Sequence, residues 1–514
     1  MTSSAKGSGR PGKVAAIAAA LLALSAVTAG GAGPAREVAD ADVDRAMAEA
    51  KRFLYGQQGT NGEFRHYWYK IPRGGTTAIA VFALLEAGEK PGSDRMKKGL
   101  DALIKIKTNN LYVIAMRAMA LAQVPKNQTY RAQLDMDVKY LTARAIRHGA
   151  WGYGGPERDG DNSCSQFALL ALWEADRAKV RINPALIRKV ETTWLRRQRS
   201  DGGWTYAGQR DVNTASTLTM TTAALASLYI CQDVLANSCV PYRHQRNVDS
   251  AWEHLGKGLK PEYHKNGYLT FCVQRVGMAS GRKFISGMDW FATGAAKLCE
   301  PNPRGRSFSG QWGPVVRASF ELIFLARGRI PLTFNKLAHG DGKNWNFHGR
   351  DLAHFTEYMR RSFEQRLRWQ IIRVTDDVQM MLDAPMLLVT GTKALDLTSE
   401  QWAKLRLYCL RGGTLLFVPS HRSKTFVESA RAGLTGLFDE QRKLAGGHYQ
   451  LHKLPDEHRL YSVHMKIHGG SRVAPMWGVA DGSRLLAMVC ERDIACAWQR
   501  RATKAGKLGH LMDE

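Results

Sequence analysis

The residues best suited to acid chemistry are two aspartates one residue apart, in the segment Asp159-Gly160-Asp161-Asn162. An apolar helical run follows, so a carboxylic acid here could donate a proton into a pocket that is dry and keeps the acid protonated. The segment is also typical of a turn, in which the Asn162 side chain caps the next helix by accepting a backbone N–H. We expect the turn and cap. The alternative is Asp161 as an acid, assisted by Asp159 and Asn162.

A second candidate site is the tripeptide Ser420-His421-Arg422, which follows an apolar run that ends at Pro419. A nucleophile needs a base that faces it, and the adjacent residues Ser420 and His421 are poorly placed for that. No Gly-x-Cys-x-Gly elbow is present for a thiol nucleophile. Doubly wound α/β folds bind ligands at the carboxyl ends of their strands. We therefore predict that these three residues bind a ligand and do not catalyse a reaction.

The third candidate is a group of histidines in the C-terminal half. His448 and His452 form one pair at i, i+4 spacing, and His464 and His468 form another. This spacing puts both members of a pair on one face of a helix or strand, where they could bind zinc. Because no clear Cys or acidic set completes either pair, we predict a polar surface, no metal and no cofactor, with zinc as the alternative.

An internal repeat over residues 45–330 must position the first candidate. Gln58–Phe64 and Gln198–Trp204 both read Gln-x-x-(Asn/Asp)-Gly-x-aromatic, and weaker copies are Gly149–Tyr153, Asn266–Tyr268 and Ser309–Trp312. The helical runs rich in small residues are Thr76–Ala87, Leu111–Ala122, Ser165–Ala175, Ser216–Leu228, Leu269–Ala279 and Val315–Ala326. The glycine permits a turn with positive φ, and the aromatic packs over the next helix. One hairpin cannot bury its apolar stripe alone, so the copies must stack.

The repeat resembles the Gln-Trp motif, Gln-x-x-x-Gly-x-Trp, of the terpenoid-cyclase and protein-prenyltransferase superfamily. Gln198–Trp204 matches it fully, and Gln58–Phe64 has Phe in place of Trp. The resemblance runs from Met47 to about Arg329. It implies an all-α α/α toroid over residues 40–330, in which two rings of helices surround a cavity for an apolar or isoprenoid ligand.

The chemistry that this resemblance implies is matched only in part. Squalene–hopene-type cyclases protonate an alkene with an Asp-x-Asp-Asp motif, whose last position is Asn162 here. The repeats lack the Asp, Cys and His zinc set of prenyltransferases and the Asp-Asp-x-x-Asp magnesium cluster of other cyclases. We therefore predict a non-catalytic binding or scaffold protein. The alternative is a class II terpenoid cyclase with Asp161 as its general acid.

A second domain is predicted over residues 335–500, after a helix stop at Gly328 and Pro331. Buried strands are predicted at Ile371–Val374, Pro385–Thr390, Thr414–Pro419 and Arg484–Cys490, and a helix that opens near Thr398 and ends at Gly412-Gly413 connects the second and third. This connection is a right-handed crossover, so the domain is predicted to be a doubly wound α/β fold.

The second half resembles an uncharacterised bacterial domain family that is fused to cyclase-like toroids. Its matching segments include Ala384–Gly391, Gly412–Leu416 and Leu454–His458. That family is similar to class I glutamine amidotransferase-like folds, which share the flavodoxin-like strand arrangement. Residues 501–514 are predicted to be a basic tail.

The N-terminus and the charge concern location and partners. Residues 1–33 combine basic residues, the apolar run Val14–Val27 and small residues, as a secretory signal peptide does. We expect export to the periplasm or cell envelope, with an uncleaved anchor as the alternative. The net charge of +27 favours an anionic envelope surface, and export argues against nucleic acid. We expect the eight cysteines to be free and buried; the alternative in an oxidising compartment is that some pair, for example Cys231 with Cys239.

Overall fold

The structure is a computed structural model that describes residues 38–67, 71–153, 159–207, 214–301, 307–340, 344–444, 448–462 and 474–500. The predicted signal peptide, the predicted basic tail, His464 and His468 lie outside the described residues.

The first half of the described chain forms two concentric rings of helices. The inner ring consists of α2 (Gly75–Glu86), α4 (Leu111–Leu121), α6 (Asn162–Arg177), α8 (Leu218–Leu235), α10 (Gly267–Ser280) and α12 (Pro314–Gly328). The outer ring consists of α1 (Asp40–Gly56), α3 (Asp94–Lys105), α5 (Gln128–Arg144), α7 (Pro184–Arg197), α9 (Gln245–Gly258) and α11 (Trp290–Leu298). Each inner helix packs against the next, and α12 packs against α2. The inner ring is therefore closed, which confirms the α/α toroid.

The inner helices are apolar on all sides because they contact the ring neighbours, the outer helices and the space that the ring encloses, here called the hub. All twelve residues of α2 are buried. By length and composition, α8 is the one described helix that could cross a membrane, but 78% of it is buried inside the toroid. An apolar helix in this position is explained by burial on every face.

The glutamine of the repeat ties each turn to the next outer helix. The Gln198 side-chain amide donates to the carbonyls of Gly202 at 2.9 Å and Asn247 at 2.8 Å. Gln58 does the same toward Gly62 at 3.3 Å and Arg95 at 2.9 Å. One side chain thus satisfies two backbone acceptors and fixes the distance between turn and helix.

The glycine of the repeat is required by both conformation and space. Gly62, Gly149 and Gly202 have φ values of 86°, 86° and 84°. A Cβ atom on each would collide with the backbone of α3, α7 or α9, respectively. Only glycine allows the outer helix to approach the turn this closely.

The glycine argument predicts different costs for two alanine substitutions. Gly202→Ala adds a clash with the main-chain oxygen of Ser250 to the strain of positive φ, so we expect a loss of about 3–5 kcal/mol of unfolding free energy. Gly88→Ala is the matched control, since Gly88 has φ 83° and nothing within 4 Å of the added Cβ. It should cost about 1–2 kcal/mol. Chemical denaturation gives the unfolding free energy of both variants. Equal losses would contradict the claim that the clash with Ser250 adds to the cost of positive φ.

The second half of the described chain is built on a seven-stranded mixed sheet. A small hairpin in the toroid comes first, β1 (Phe284–Ile285) and β2 (Met288–Asp289). The sheet strands are β3 (Leu332–Ala338), β4 (Arg368–Arg373), β5 (Met386–Gly391), β6 (Thr414–Pro419), β7 (His452–Lys453), β8 (Met476–Ala480) and β9 (Leu485–Cys490). Their order is β4-β3-β5-β6-β9-β8-β7. The first five are parallel, and β8 and β7 are antiparallel additions.

Helices cover both faces of this sheet. They are α13 (Asp351–Phe363), α14 (Val378–Met381), α15 (Ser399–Leu410), α16 (Lys424–Leu437), α17 (Asp439–Leu444) and α18 (Ile494–Gln499). Leu415 and Phe417 of β6 point into the core that includes α15 and α16. Leu416 and Val418 point into the opposite core, which includes Trp498 of α18. The alternation places successive β6 side chains on opposite faces, as a strand buried on both sides requires.

The two halves are joined covalently by a disulfide between Cys239 and Cys496. The alternative pairing of Cys231 with Cys239 is wrong, because Cys231 is a free, buried thiol on α8. Gln499 strengthens the same junction by donating to the carbonyls of Ser238 at 3.1 Å and Val240 at 3.2 Å.

Candidate functional site at the open end of the toroid

The inner helices run parallel, so their C-terminal ends meet at one end of the hub. Arg327 of α12 forms a two-pronged ion pair with Glu86 of α2, with both N–O distances at 2.7 Å. Its guanidinium also donates to Glu174 of α6 at 3.0 Å, and Arg275 of α10 reaches Glu174 at 3.3 Å. Four inner helices are thereby cross-linked by buried charges.

The second domain closes this end of the hub. Arg366 donates to Glu86 at 2.9 Å, and Glu357 of α13 pairs with Arg177 of α6 at 2.6 Å. Burial would raise the pKa of Glu86, but the positive charges of Arg327 and Arg366 outweigh it and lower that pKa to about 2. The pKa of Glu357 is lowered in the same way, because Arg177 and Arg360 outweigh its burial.

Among the described residues, the N-terminal ends of the inner helices lie at the end of the hub opposite the second domain, and Asp161 is at this end. Asp161 is the N-cap of α6: its Oδ1 accepts from the Cys164 N–H at 2.8 Å and from the Ser163 hydroxyl at 2.5 Å. It also bridges two neighbouring extended segments, at Trp151 and Ala207. The carboxylate is partly exposed at this end.

The other two residues of the predicted acid motif have structural roles. Asn162 is not the cap that was expected but the first residue of α6. Its amide donates to the Thr205 carbonyl at 2.8 Å and accepts from Arg197 at 2.6 Å. The main-chain oxygen of Asp159 accepts from the same Arg197 side chain. Both residues hold the turn together, and Asp161 is the member that faces the opening.

Four tyrosines surround Asp161, and we call this set with Asp161 the tyrosine mouth: Tyr112, Tyr153, Tyr206, Tyr268 and Asp161. The Tyr112 hydroxyl lies 2.6 Å from the Ser163 hydroxyl, and its ring centroid is 5.8 Å from that of Tyr153. Tyr153 is 55% exposed and Tyr206 is 41% exposed, so both rings offer a face to solvent. The Tyr268 hydroxyl donates to Gln166 at 2.6 Å, below the others.

The tyrosine hydroxyls stay protonated at neutral pH. Burial raises the pKa of Tyr112, and the neighbouring Cys164 and Asp161 add to the effect. Burial, with Cys272 nearby, raises the pKa of Tyr206 to about 12. The side chains around Asp161 are therefore uncharged phenols at neutral pH.

Below the mouth, the described part of the hub is filled by aromatic rings. Phe167 stacks on Phe271 with centroids 5.8 Å apart, and Phe271 contacts Phe320 at 5.3 Å. The ring of Tyr268 stacks on Phe167 at 5.7 Å. These side chains come from three inner helices and meet near the axis, so the floor of the mouth is a packed aromatic layer.

Sequence reasoning missed the tyrosines, although a signal for them was present. In three repeats a second aromatic follows the turn aromatic after one or two residues: Phe64 and Tyr67, Trp151 and Tyr153, Trp204 and Tyr206. The first of each pair is buried, and the second is exposed. Trp312 is exposed in the last copy, next to Gly313, where an added Cβ would lie 3.6 Å from the Tyr67 Cβ. We call Tyr67, Tyr153, Tyr206 and Trp312 the rim aromatics.

The second predicted site lies at the carboxyl edge of the sheet. Ser420-His421-Arg422 forms a single 3-10 turn directly after β6. Ser420 is fully buried, while His421 and Arg422 adopt φ values of 54° and 56°. The tripeptide thus lies at the strand end that the sequence predicts, in a strained backbone conformation.

The described histidines of the third candidate lie apart from any acidic partner set. His452 is exposed on β7, and one of its ring nitrogens bonds to the Gln450 carbonyl at 3.2 Å. His448 lies against Gly482. Within the ranges that the structure describes, no group of three or more His, Cys, Asp or Glu side chains could hold a metal ion.

Known proteins are similar to this chain over only part of its length. A family model described as a domain of unknown function (DUF4159) matches residues 333–511. No curated protein sequence matches the chain. The chain is similar in structure to the GH76A α-1,6-mannanase of Salegentibacter sp. HEL1_6, with a TM-score of 0.42 and 10% identity over 56% of this chain and 99% of that one.

Two further solved structures show a similar likeness. A possible member of the GH105 family from Salmonella enterica subsp. enterica serovar Paratyphi A str. ATCC 9150 has a TM-score of 0.40 and 12% identity over 57% of this chain and 95% of that one. A possible GH105 member from Klebsiella pneumoniae subsp. pneumoniae MGH 78578 has a TM-score of 0.39 and 10% identity over 57% of this chain and 94% of that one. The family match, in contrast, concerns the C-terminal part of this chain, which is similar to the uncharacterised domain family DUF4159.

Proposed function

We propose that this protein is a binding protein that holds a carbohydrate chain at the tyrosine mouth, in the exported compartment that residues 1–33 predict. The observation that supports the proposal is the convergence of four tyrosines and Asp161 at the end of the toroid opposite the second domain. A sugar ring has an apolar face of C–H groups and a rim of hydroxyls. Amphipathic tyrosine rings offer a matching combination of flat apolar surface and hydroxyl group.

The rim aromatics suit an extended chain better than a single sugar. They belong to four different repeats, so their exposed rings are distributed around the opening. Aromatic side chains give large contact area at little conformational cost, and a few polar groups between them fix orientation. The Asp161 carboxylate supplies a strong acceptor for a ligand hydroxyl.

The apolar or isoprenoid ligand and the Asp161 cyclase are the competing proposals, and the contacts support them less well. An isoprenoid chain needs an apolar chamber, whereas Phe167, Phe271 and Phe320 pack against one another at the floor of the mouth. A cyclase acid must keep a proton to donate. The Asp161 side chain instead accepts two hydrogen bonds as a helix cap. An anionic envelope polysaccharide would also fit the net charge of +27.

A glycan array probed with the purified protein tests the proposal. We expect binding to a subset of polysaccharides or oligosaccharides, without release of new reducing ends on long incubation. Two further experiments test the competing proposals. Incubation of the purified protein with squalene tests the cyclase, and lipid extraction of the purified protein tests for a bound isoprenoid. A cyclised product, or a co-purified isoprenoid together with no glycan bound, would overturn the carbohydrate proposal.

A further inference from the structure

The carboxyl edge of the second domain holds a serine and a histidine with unsatisfied polar atoms. Ser420 and His348 are both fully buried. The Ser420 hydroxyl and the His348 Nδ1 atom each lack a hydrogen-bond partner in the described structure. Buried polar atoms almost always have partners, so two unsatisfied atoms at one edge of a sheet indicate a role other than packing.

The histidine is oriented by a carboxylate. His348 Nε2 lies 2.9 Å from Asp493 Oδ2, and the same oxygen accepts from the His421 N–H at 2.7 Å. Because a carboxylate only accepts, Nε2 must hold the hydrogen. In the neutral ring, Nδ1 then carries no hydrogen, and its lone pair can accept a proton.

Ser420 and the His348–Asp493 pair lie on the same side of the sheet. Side chains alternate along β6, so Leu416, Val418 and then Ser420 share one face, the face that α13 and α18 cover. His348 directly precedes α13, and Asp493 is the N-cap of α18. The turn that contains Ser420 contacts α18, which brings the three residues to one corner of the domain.

We propose that Ser420, His348 and Asp493 form an acyl-transfer site that hydrolyses carboxylic esters, independent of glycan binding. The Ser420 oxygen attacks the ester carbonyl carbon while His348 Nδ1 takes the hydroxyl proton. The ester C–O bond breaks, and His348 returns that proton to the leaving alkoxide, which departs as an alcohol. Water then attacks the acyl-serine in the same way, releasing the carboxylic acid and restoring the serine. Asp493 is a positioning residue that holds the histidine ring and stabilises its charged form.

The turn after β6 resembles the sharp turn that carries such a nucleophile in hydrolases. A serine on a sharp strand-to-helix turn is typical of hydrolases, and here the two residues after Ser420 are left-handed. Residues 344–350 cover the site: Phe347 packs on the His421 ring at 5.8 Å, and Asn344 accepts from Thr392 and Lys393. Because Ser420 is fully buried, the proposal requires this segment to move outward before an ester can reach it.

Covalent labelling of the full-length protein tests the proposal. A fluorophosphonate probe should modify Ser420, identified by mass spectrometry of the peptide, as the serine oxygen displaces fluoride. Ser420→Ala should abolish the label, and Ser423→Ala, the matched control at the α16 N-cap, should retain it. An unlabelled wild-type protein, or a label that persists in Ser420→Ala, would overturn the proposal.

Hydrolysis of p-nitrophenyl acetate separates the roles of the other two residues. We expect His348→Gln to lower kcat at least 100-fold, and Asp493→Asn to lower kcat about tenfold or more, with KM unchanged within twofold in both. Asn keeps an acceptor for the α18 cap, so the fold should persist in the second variant. Unchanged kcat in His348→Gln, or equal effects on kcat and KM in Asp493→Asn, would contradict the assigned roles.

Discussion

Glu86→Ala is expected to lower the free energy of unfolding of the toroid by about 3–5 kcal/mol. Glu86 is 4% exposed, and its carboxylate accepts two hydrogen bonds from the Arg327 guanidinium. Removing it leaves the buried Arg327 with Glu174 alone, a carboxylate that Arg275 and Arg177 also contact, and it takes away the carboxylate that Arg366 contacts. An unpaired buried charge costs far more than a lost surface ion pair, because the low-dielectric interior does not screen it.

The matched control is Glu300→Ala, which removes an exposed carboxylate paired with Lys297 at 2.7 Å. Surface ion pairs contribute less than about 1 kcal/mol, so this variant should be nearly neutral. Chemical denaturation monitored by tryptophan fluorescence gives both values. A loss below about 1 kcal/mol for Glu86→Ala would mean that the hub does not depend on this network.

The same network predicts a dependence on pH. The pKa of Glu86 is about 2 in the folded protein and 4.5 as its ordinary value, because the two arginines outweigh its burial. Its contribution is therefore fully present above about pH 5 and is lost as the pH falls toward 2. The difference in stability between wild type and Glu86→Gln should be greatest at neutral pH and narrow steadily below pH 5. A difference that stays constant from pH 7 to pH 3 would contradict the ionised pairing.

The second large effect is expected at the tyrosine mouth. The double variant Tyr153→Ala with Tyr206→Ala should weaken glycan affinity about 100-fold or more, since aromatic anchors at the centre of a binding site each contribute about 1–2 kcal/mol or more. The two Tyr→Phe variants separate the contributions, because they retain the stacking face and lose the hydroxyl. We expect them to fall between wild type and the double alanine variant in titration calorimetry.

Tyr140→Ala provides the control for the tyrosine variants. Tyr140 lies on the outer helix α5, and its hydroxyl donates to the Asn109 carbonyl at 2.9 Å. It is outside the mouth, so glycan affinity should stay within twofold of wild type. If Tyr140→Ala weakened binding as much as the double variant, the ligand would not be held by the mouth.

The toroid could be predicted because each repeat shows its structure locally. The six helical runs that the sequence indicated each overlap an inner helix, from Gly75–Glu86 to Pro314–Gly328, and none extends more than two residues beyond its helix. These helices are buried on every side, so their composition alone distinguishes them. The turn glycines were recognisable for a similar reason, since positive φ and close approach admit no other residue. A resemblance to terpenoid cyclases predicted the ring architecture, and no comparison extends it to that activity.

The candidate site could not be predicted to the same extent, because it depends on residues that are distant in sequence. Tyr112, Tyr206 and Tyr268 come from three repeats and meet only when the ring closes. The Arg366–Glu86 contact joins residues 280 positions apart. The cap at Asp161 rather than Asn162 was a local error: both side chains can cap a helix, and the Arg197 contact that engages Asn162 is not visible in the sequence. The antiparallel strands β7 and β8 were missed because they are short and irregularly spaced.

Oxidative footprinting of the tyrosine mouth tests the central claim most directly. Hydroxyl radicals modify exposed aromatic side chains, so Tyr153, Tyr206 and Trp312 should react readily in the free protein. With a saturating glycan selected from the array, we predict that these residues become protected at least fivefold, while Met136 on the outer ring reacts as before. Protection confined to residues away from the opening, or none at all with glycan bound, would contradict the assignment of the toroid mouth as the binding site.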